Sequence, residues 1–443
     1  MLPIKLLHTA DIHIGMENYG RVDPATGINA RVMDFLRRLG DMADYAVQEG
    51  VDVFVFAGDA YKTRDPNPTY QREFARRIKR VADAGIPVIL LVGNHDQPAV
   101  SKRASSLSIF DTLDVPNVYV GDREALQEIT CRRGQPLLVA TVPYPLRSAL
   151  ISREEAQNRS LAEIDTLLQS IMIENLQALA EQARRRPEIP AILVGHFSVN
   201  EASHGSEQNI MIGRDASLPR SVLADPAWRY VALGHIHKHQ SLNSDVQPPV
   251  IYSGSIERID FGEEHEPKGF VVAEISDQPT TWRFLHRYRK GARPFITIRA
   301  DVRGETDPTS PIVDEIRRQA VRMTPGPDFG LSEDEQAAEP AESGGWSAAV
   351  VRLIVKLRQE QEPLLLDREI RQALEGAYFV ATFQKEVERS ERQRLGGVSV
   401  ETLAPMELLA RYLEVKQTPK DRADLLLQHG DSLIRAVEGK ETG

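Results

Sequence analysis

The chain alternates short blocks of β-branched and aliphatic residues with longer stretches whose apolar positions recur every three or four residues. Five of the short blocks end alike. Ile4 to His13 (IKLLHTADIH), Val51 to Asp59 (VDVFVFAGD), Ile86 to Asp96 (IPVILLVGNHD), Ile189 to His196 (IPAILVGH) and Tyr230 to His237 (YVALGHIH) each pass from an apolar run straight into carboxylates, imidazoles or an amide. Runs of Val, Ile and Leu of this length suit strands buried on both faces, which usually lie parallel under covering helices. In open α/β sheets ligands bind beyond the carboxyl ends of the strands, where all five polar clusters fall. The pattern predicts an α/β fold in which five strands deliver side chains to one place.

Helical spacing fills the intervals. Val32, Phe35, Leu36, Leu39, Met42, Ala43 and Ala46 predict one helix, and Phe74, Ile78 and Val81 a second, which follows the Pro-rich loop Tyr61 to Thr69 and stops at Gly85. Val118 to Val120 and Pro136 to Val142 read as strands of a second sheet, Leu161 to Leu179 as a long amphipathic helix, and Ser198 to Pro219 as a loop. Val250 to Tyr252 and Gly269 to Ile275 close this first domain, residues 1–280. From Trp282 to Arg303 seven Lys or Arg face a single acid, Asp301. The pattern then gives strand Pro294 to Val302, helix Ile312 to Val321, strand Val350 to Leu357, helix Asp367 to Leu374 and strand Tyr378 to Gln384. That is a small α/β module, residues 281–385. The acidic, Pro- and Gly-rich stretch 324–345 within it reads as a mobile insertion. Residues 386–443 form a tail with two amphipathic helices, Pro405 to Lys416 and Pro419 to Val437.

Composition narrows the class. At 443 residues two or three domains are expected, and 54 Lys and Arg against 64 Asp and Glu exclude a general polyanion binder, so any nucleic-acid contact is local. Cys131 is the only cysteine, which excludes an internal disulfide and a thiolate metal cluster and fits a reducing compartment. Apolar runs are too short to cross a bilayer and no signal-like segment precedes the first strand, so a cytoplasmic protein without a membrane span is expected.

The clusters supply the chemistry. An aspartate and a histidine two apart on an extended segment point to the same side, so Asp11 and His13 can grip one ion, and His235 and His237 share the spacing. With Asp59, Asn94 and His196 the inventory is too large for one ion of ordinary coordination. It suits two ions sharing a carboxylate, and mixed N and O donors favour Mn, Fe or Zn over Mg. Glycines at 58, 93, 195 and 234 allow sharp strand exits. Two ions roughly 3.5 to 4 Å apart suit in-line displacement at phosphorus. His95, flanked by ligands, is then free to face the substrate as an acid, with Asp96 orienting it.

The ordered set DIH, GD, GNHD, GH and GHIH resembles the motifs of the calcineurin-like metallophosphoesterases. The opening HTADIHIG and the closing YSGSIERIDFGEEHEPKGF are similar to the SbcD-type DNA repair exonuclease subunits of that superfamily. The resemblance implies a metallophosphoesterase fold of two β-sheets flanked by helices, with an α/β capping domain shaping the DNA path and a helical tail docking on an SbcC-type coiled-coil ATPase. It implies two Mn2+ ions, one held by Asp11, His13, Asp59 and His237 and the other by Asp59, Asn94, His196 and His235, with His95 as the catalytic histidine. The implied function is that of a Mn-dependent exonuclease and endonuclease subunit, a homodimer within a heterotetramer, in double-strand-break repair. One departure is Lys62, where some relatives carry a further histidine; a lysine there suits a phosphate contact. Lys62, Arg64, Arg289 and Lys290 are the expected nucleic-acid contacts. The alternative is a phosphodiesterase for a small substrate such as a cyclic nucleotide, which the long extension after residue 280 disfavours. The basic run Arg283 to Arg303 reads equally as a solvated face.

Overall fold

The computed structural model describes residues 2–98, 103–146, 159–205, 217–243, 246–286, 288–289, 291–323, 345–388 and 404–438. Two six-stranded sheets pack face to face. In the first, β1 (Ile4–Thr9), β2 (Val53–Phe56), β3 (Val88–Leu91) and β4 (Val118–Gly121) run parallel, and beyond β1 lie antiparallel Phe270–Ile275 and Thr281–Leu285. The second orders β5 (Ala125–Thr130), β6 (Pro136–Val142), β7 (Ala191–His196), Tyr230–Gly234, Val250–Tyr252 and Gln240–Ser241, parallel except at its two edges. The parallel layout expected from the apolar runs holds at the centre of each sheet.

The alternation along each strand explains why these runs are apolar throughout. Phe54, Phe56, Val88 and Leu90 face helices α1 (Ala30–Gln48) and α2 (Pro68–Asp83), whereas Val53, Val55, Ile89 and Leu91 point between the sheets. From the other sheet Ile192, Val194, Tyr230 and Ala232 meet them, while Leu193 and Leu233 turn outward beneath the helix Leu161–Arg184. Every position has an apolar neighbour, so period-two patterning vanishes, as it does in strands covered on both faces. His8 lies in the inter-sheet layer with its nitrogens 3.0 Å from the Tyr230 hydroxyl and 3.2 Å from the Leu233 carbonyl, and burial pushes its pKa down to about 3.

One expectation needs correction. Val118 to Val120 belongs to the first sheet, paired in parallel with β3, because the short helix Ser108–Thr112 returns the chain beside the strand it left. The five polar-ended runs rise from both sheets, three from the first and two from the second.

Helix α1 carries two buried faces. Its apolar stripe follows the predicted residues, but Arg31, Asp34, Arg38, Asp41 and Tyr45, at helical spacing, are buried too. They answer the basic run. Asp34 forms a two-pronged pair with Arg293 (2.6 and 2.8 Å), Asp41 and Asp44 take Arg289 at 3.1 and 2.8 Å, and the Tyr45 hydroxyl accepts from Arg283 at 3.0 Å. Over these three residues the run is therefore paired with α1, yet Arg283 and Arg289 stay exposed and keep a solvated face, and only Arg293 is largely covered. The run is the counter-charge of α1.

The chain divides into two compact units, residues 1–299, 313–354 and 368–384, and residues 300–312, 355–367 and 385–443. Phe295–Asp301, Val350–Arg358 and Phe379–Glu388 form a three-stranded sheet in that order. In the second unit Val302 N–H donates to the Lys356 carbonyl at 2.9 Å, and tail helices Pro405–Val415 and Lys420–Glu438 approach where Gly430 faces Leu409. The expected mobile insertion lies, apart from Gly345, outside the described residues. Among the described residues no helix is long and apolar enough to cross a membrane.

Candidate metal centre

All seven predicted ligands and His95 meet beyond the carboxyl ends of β1, β2, β3, β7 and Tyr230–Gly234. Asp11, His13 and His237 offer donor atoms within 4.8 Å of one another, as do Asp11, Asp59 and His196, and also His13, Asp59 and His95. The Asn94 amide oxygen stands 3.0 Å from His196 Nε2 and 3.1 Å from His235 Nδ1. Asp11, His13, Asp59 and His235 all take positive φ, 53°, 50°, 62° and 96°. Non-glycine residues adopt this region at a cost that surrounding structure must offset, and such residues cluster at functional sites. Asp11 and His13 therefore converge through a left-handed turn, held by Asp11 N–H on the Gly58 carbonyl and His13 N–H on the Asp59 carbonyl, and not through strand alternation as expected. Close approach explains two glycines: a Cβ at Gly58 would collide with the His196 ring and one at Gly93 with the Asp59 carboxylate.

The donor set fits divalent cations. His196 Nδ1 lies 2.7 Å from the Ala57 carbonyl, which can only accept, so Nδ1 bears a hydrogen and Nε2 is the nitrogen that faces Asp59 Oδ2 at 3.4 Å. His237 Nδ1 likewise donates to Glu263 Oε1 at 2.9 Å, leaving Nε2 facing His13 Nε2 at 3.0 Å, itself 3.7 Å from Asp59 Oδ2. These nitrogens and the Asp59 carboxylate must share either protons or a cation, and a ring whose other nitrogen is held by a carbonyl or carboxylate is the arrangement metal-ligating histidines adopt. The field agrees: burial opposes charge on His196, yet Asp59 pulls its pKa up to about 9. Burial also pushes the Asp59 carboxyl upward, and His196, His95 and His13 overcome it, holding the group well below the usual carboxylate range.

Asp96 does not orient His95. It is fully buried, and its oxygens accept from the backbone N–H of Asp59 (2.8 Å), Ala60 (3.1 Å), Gly93 (3.1 Å) and Tyr61 (3.4 Å). Burial and the neighbouring Asp59 push its pKa up to about 7, against the pull of the Gly93 and Ala60 N–H groups. The residue is a clamp on the turn that carries Asp59, and the Lys62 carbonyl, 2.8 Å from Nδ1, orients His95 instead. Asp96→Asn sets an NH2 group against backbone donors. Mn2+ affinity is expected to fall about 10- to 100-fold, measured by titration; unchanged affinity would show that the clamp is dispensable.

Of the expected nucleic-acid contacts, Lys62 is half-buried beside His95 and Arg64 is exposed on the same loop. Arg289 is committed to Asp41 and Asp44, and Lys290 lies outside the described residues. Three residues escaped the sequence reading. The Tyr144 ring flanks His235 at 5.5 Å and His196 at 6.4 Å, and Glu263 and Lys268 back His237. Tyr144 follows strand β6 as the ligands follow theirs, and GEEHEPK precedes a closing strand, so both carried a usable signal.

The profile of the calcineurin-like phosphoesterases matches residues 4–239. The chain is similar to the SbcD component of the SbcCD nuclease of Bacillus subtilis, 26% identical over 290 residues that make up 63% of this chain and 68% of that one. It is similar to the DNA double-strand break repair protein Mre11 of Halobacterium salinarum, 25% identical over 318 residues, 72% of this chain and 68% of that one. It is also similar to the SbcD component of the SbcCD nuclease of Escherichia coli, 27% identical over 265 residues, 59% and 62%. Its matches thus span about two thirds of the length of these relatives.

Proposed function

Since the chain belongs to the calcineurin-like phosphoesterase family and is a metal-dependent phosphodiesterase, we propose that it is a DNA nuclease subunit acting in double-strand-break repair with an SbcC-type ATPase. The observation that carries this reading is the convergence of seven donor residues with His95 at one place, in a chain similar to the SbcD component of the SbcCD nuclease and to Mre11. In this proposal Asp11, His13, Asp59 and His237 hold one Mn2+ and Asp59, Asn94, His196 and His235 the other. Such a pair supplies Lewis acidity toward a phosphodiester and its attacking water.

The chain's own groups do the rest. His95 N–H donates to Asp59 Oδ1 at 2.9 Å, and Nδ1 donates to the Lys62 carbonyl, so the half-buried ring keeps Nε2 for the substrate. Protonated there, it can stabilise developing charge on phosphorus or hand its proton to the leaving oxygen. Lys62 and Arg64 supply positive charge for flanking phosphates. Residues 281–385 cap the DNA in this proposal, and the tail, with Tyr412, Leu425 and Leu433 exposed, docks on the coiled coil of the ATPase, which co-purification with and without residues 396–443 would test. The proposal further holds that the protein is a cytoplasmic homodimer.

The test is cleavage of end-labelled linear duplex DNA by the purified chain in Mn2+, with and without the ATPase. His95→Asn is expected to slow cleavage about 10²- to 10⁴-fold, the usual contribution of a positioned acid, with Mn2+ content unchanged. Turnover of a model phosphodiester or a cyclic nucleotide with DNA untouched even beside the ATPase would refute the nuclease reading.

A further inference from the structure

The closing motif Tyr252 to Phe270 contributes no proposed ligand, yet it contains a buried and closely tied charged pair beside the centre. Glu263 is fully buried and Lys268 is 2% exposed. One Glu263 oxygen accepts from His237 Nδ1 at 2.9 Å. The other accepts from the Ile259 N–H at 2.9 Å and faces Lys268 Nζ at 3.0 Å. The same ammonium donates to Glu266 Oε2 at 2.8 Å and to the backbone carbonyl of His237 at 3.0 Å. Lys268 thus grips both the carboxylate that holds the His237 ring and the main chain from which that ring projects. His237 can tilt or change tautomer only if this loop opens.

The counterpart on the other side of Asp59 is weaker. His196 leans on the Ala57 carbonyl, a neutral acceptor. A carboxylate partner raises the basicity of a ligating imidazole more than a carbonyl does, because the charge-assisted bond shifts the Nδ1 proton toward the acceptor. Resting on the metal-centre reading above, we propose that Glu263 and Lys268 are positioning residues that make the Asp11, His13 and His237 position the tighter of two cation sites. Metal then loads there first and leaves there last.

The experiment is a Mn2+ titration of the full-length chain, following free and bound ion, beside Glu263→Gln and the double variant Glu263→Gln, Lys268→Met. The double variant removes the buried charge pair together, so it stays testable if the single variant fails to fold; thermal unfolding in chelator reports on both. The wild type should bind in two steps separated by at least about tenfold, and loss of Glu263 should weaken the tighter step about 10- to 100-fold while leaving the weaker one in place. A single affinity in the wild type overturns the inference, as does a variant with unchanged steps. Equal weakening of both steps overturns it too, since it would mark general loosening of the fold. A wild type that binds Mn2+ in two steps but never cuts DNA refutes the nuclease reading and leaves this inference standing, whereas a chain that binds no Mn2+ refutes both.

Discussion

Asp59→Asn is expected to abolish phosphodiester cleavage while leaving the fold intact. Asp59 stands between the two groups of donors, its Oδ2 3.7 Å from His13 Nε2 and 3.4 Å from His196 Nε2. The substitution removes one negative charge from both proposed cation positions at once, and an amide NH2 cannot ligate. The loss should exceed the roughly 100-fold at the upper end of what removing an outer-shell partner costs. The left-handed backbone at residue 59 tolerates asparagine better than most residues, so the turn survives. The carboxylate is 2% exposed, and its charge pushes up the pKa of both Asp11 and Asp96, so repulsion falls in the metal-free form. The check is Mn2+ stoichiometry and diester turnover beside thermal unfolding in chelator. A variant that keeps two ions and full turnover would remove Asp59 from the centre.

Asp34→Ala should give the largest loss of stability. The Asp34 carboxylate is 4% exposed and faces two cations, buried Arg31 at 2.7 Å and half-buried Arg293 at 2.6 Å. Removing it leaves Arg293 without its acid partner and Arg31 with only the more distant Glu257 carboxylate at 3.9 Å, a loss of about 3–5 kcal/mol by the behaviour of broken buried pairs. The thermal midpoint should drop on the order of 10 °C. Arg293 keeps its bond to the Ala348 carbonyl and its place over the Tyr378 ring at 3.5 Å, and Arg31 keeps the Arg258 carbonyl, so collapse short of unfolding is expected. Combining Asp34→Leu with Arg293→Met should cost less than the two single changes summed, because replacing a buried pair by apolar groups is far milder than orphaning one member. Additivity in that cycle would refute the coupling.

The site was legible because metal chemistry restricts residue type and strand ends announce themselves. Asp11, Asp59, Asn94, His196 and His237 each follow an apolar run that could only be a covered strand. Burial of both faces explains the lack of polar alternation in β1, β2 and β3. Those are local properties of the chain. What neighbours in sequence could not state was where distant segments meet. Val118 to Val120 carries the same propensity in either sheet, and the connection before it decided for the first. Asp96 reads as an acid beside a catalytic histidine, but four backbone N–H groups converge on it, three of them from beyond its own loop. Arg283, Arg289 and Arg293 read as a basic stripe until α1 brings Tyr45, Asp41, Asp44 and Asp34 across from some 240 to 260 residues away. Strands and candidate donors are thus written residue by residue, in hydrophobic patterning and donor type. Which charges are neutralised and which face the site is settled only in the folded chain, because the energy of a buried charge depends on a partner that folding alone brings to it.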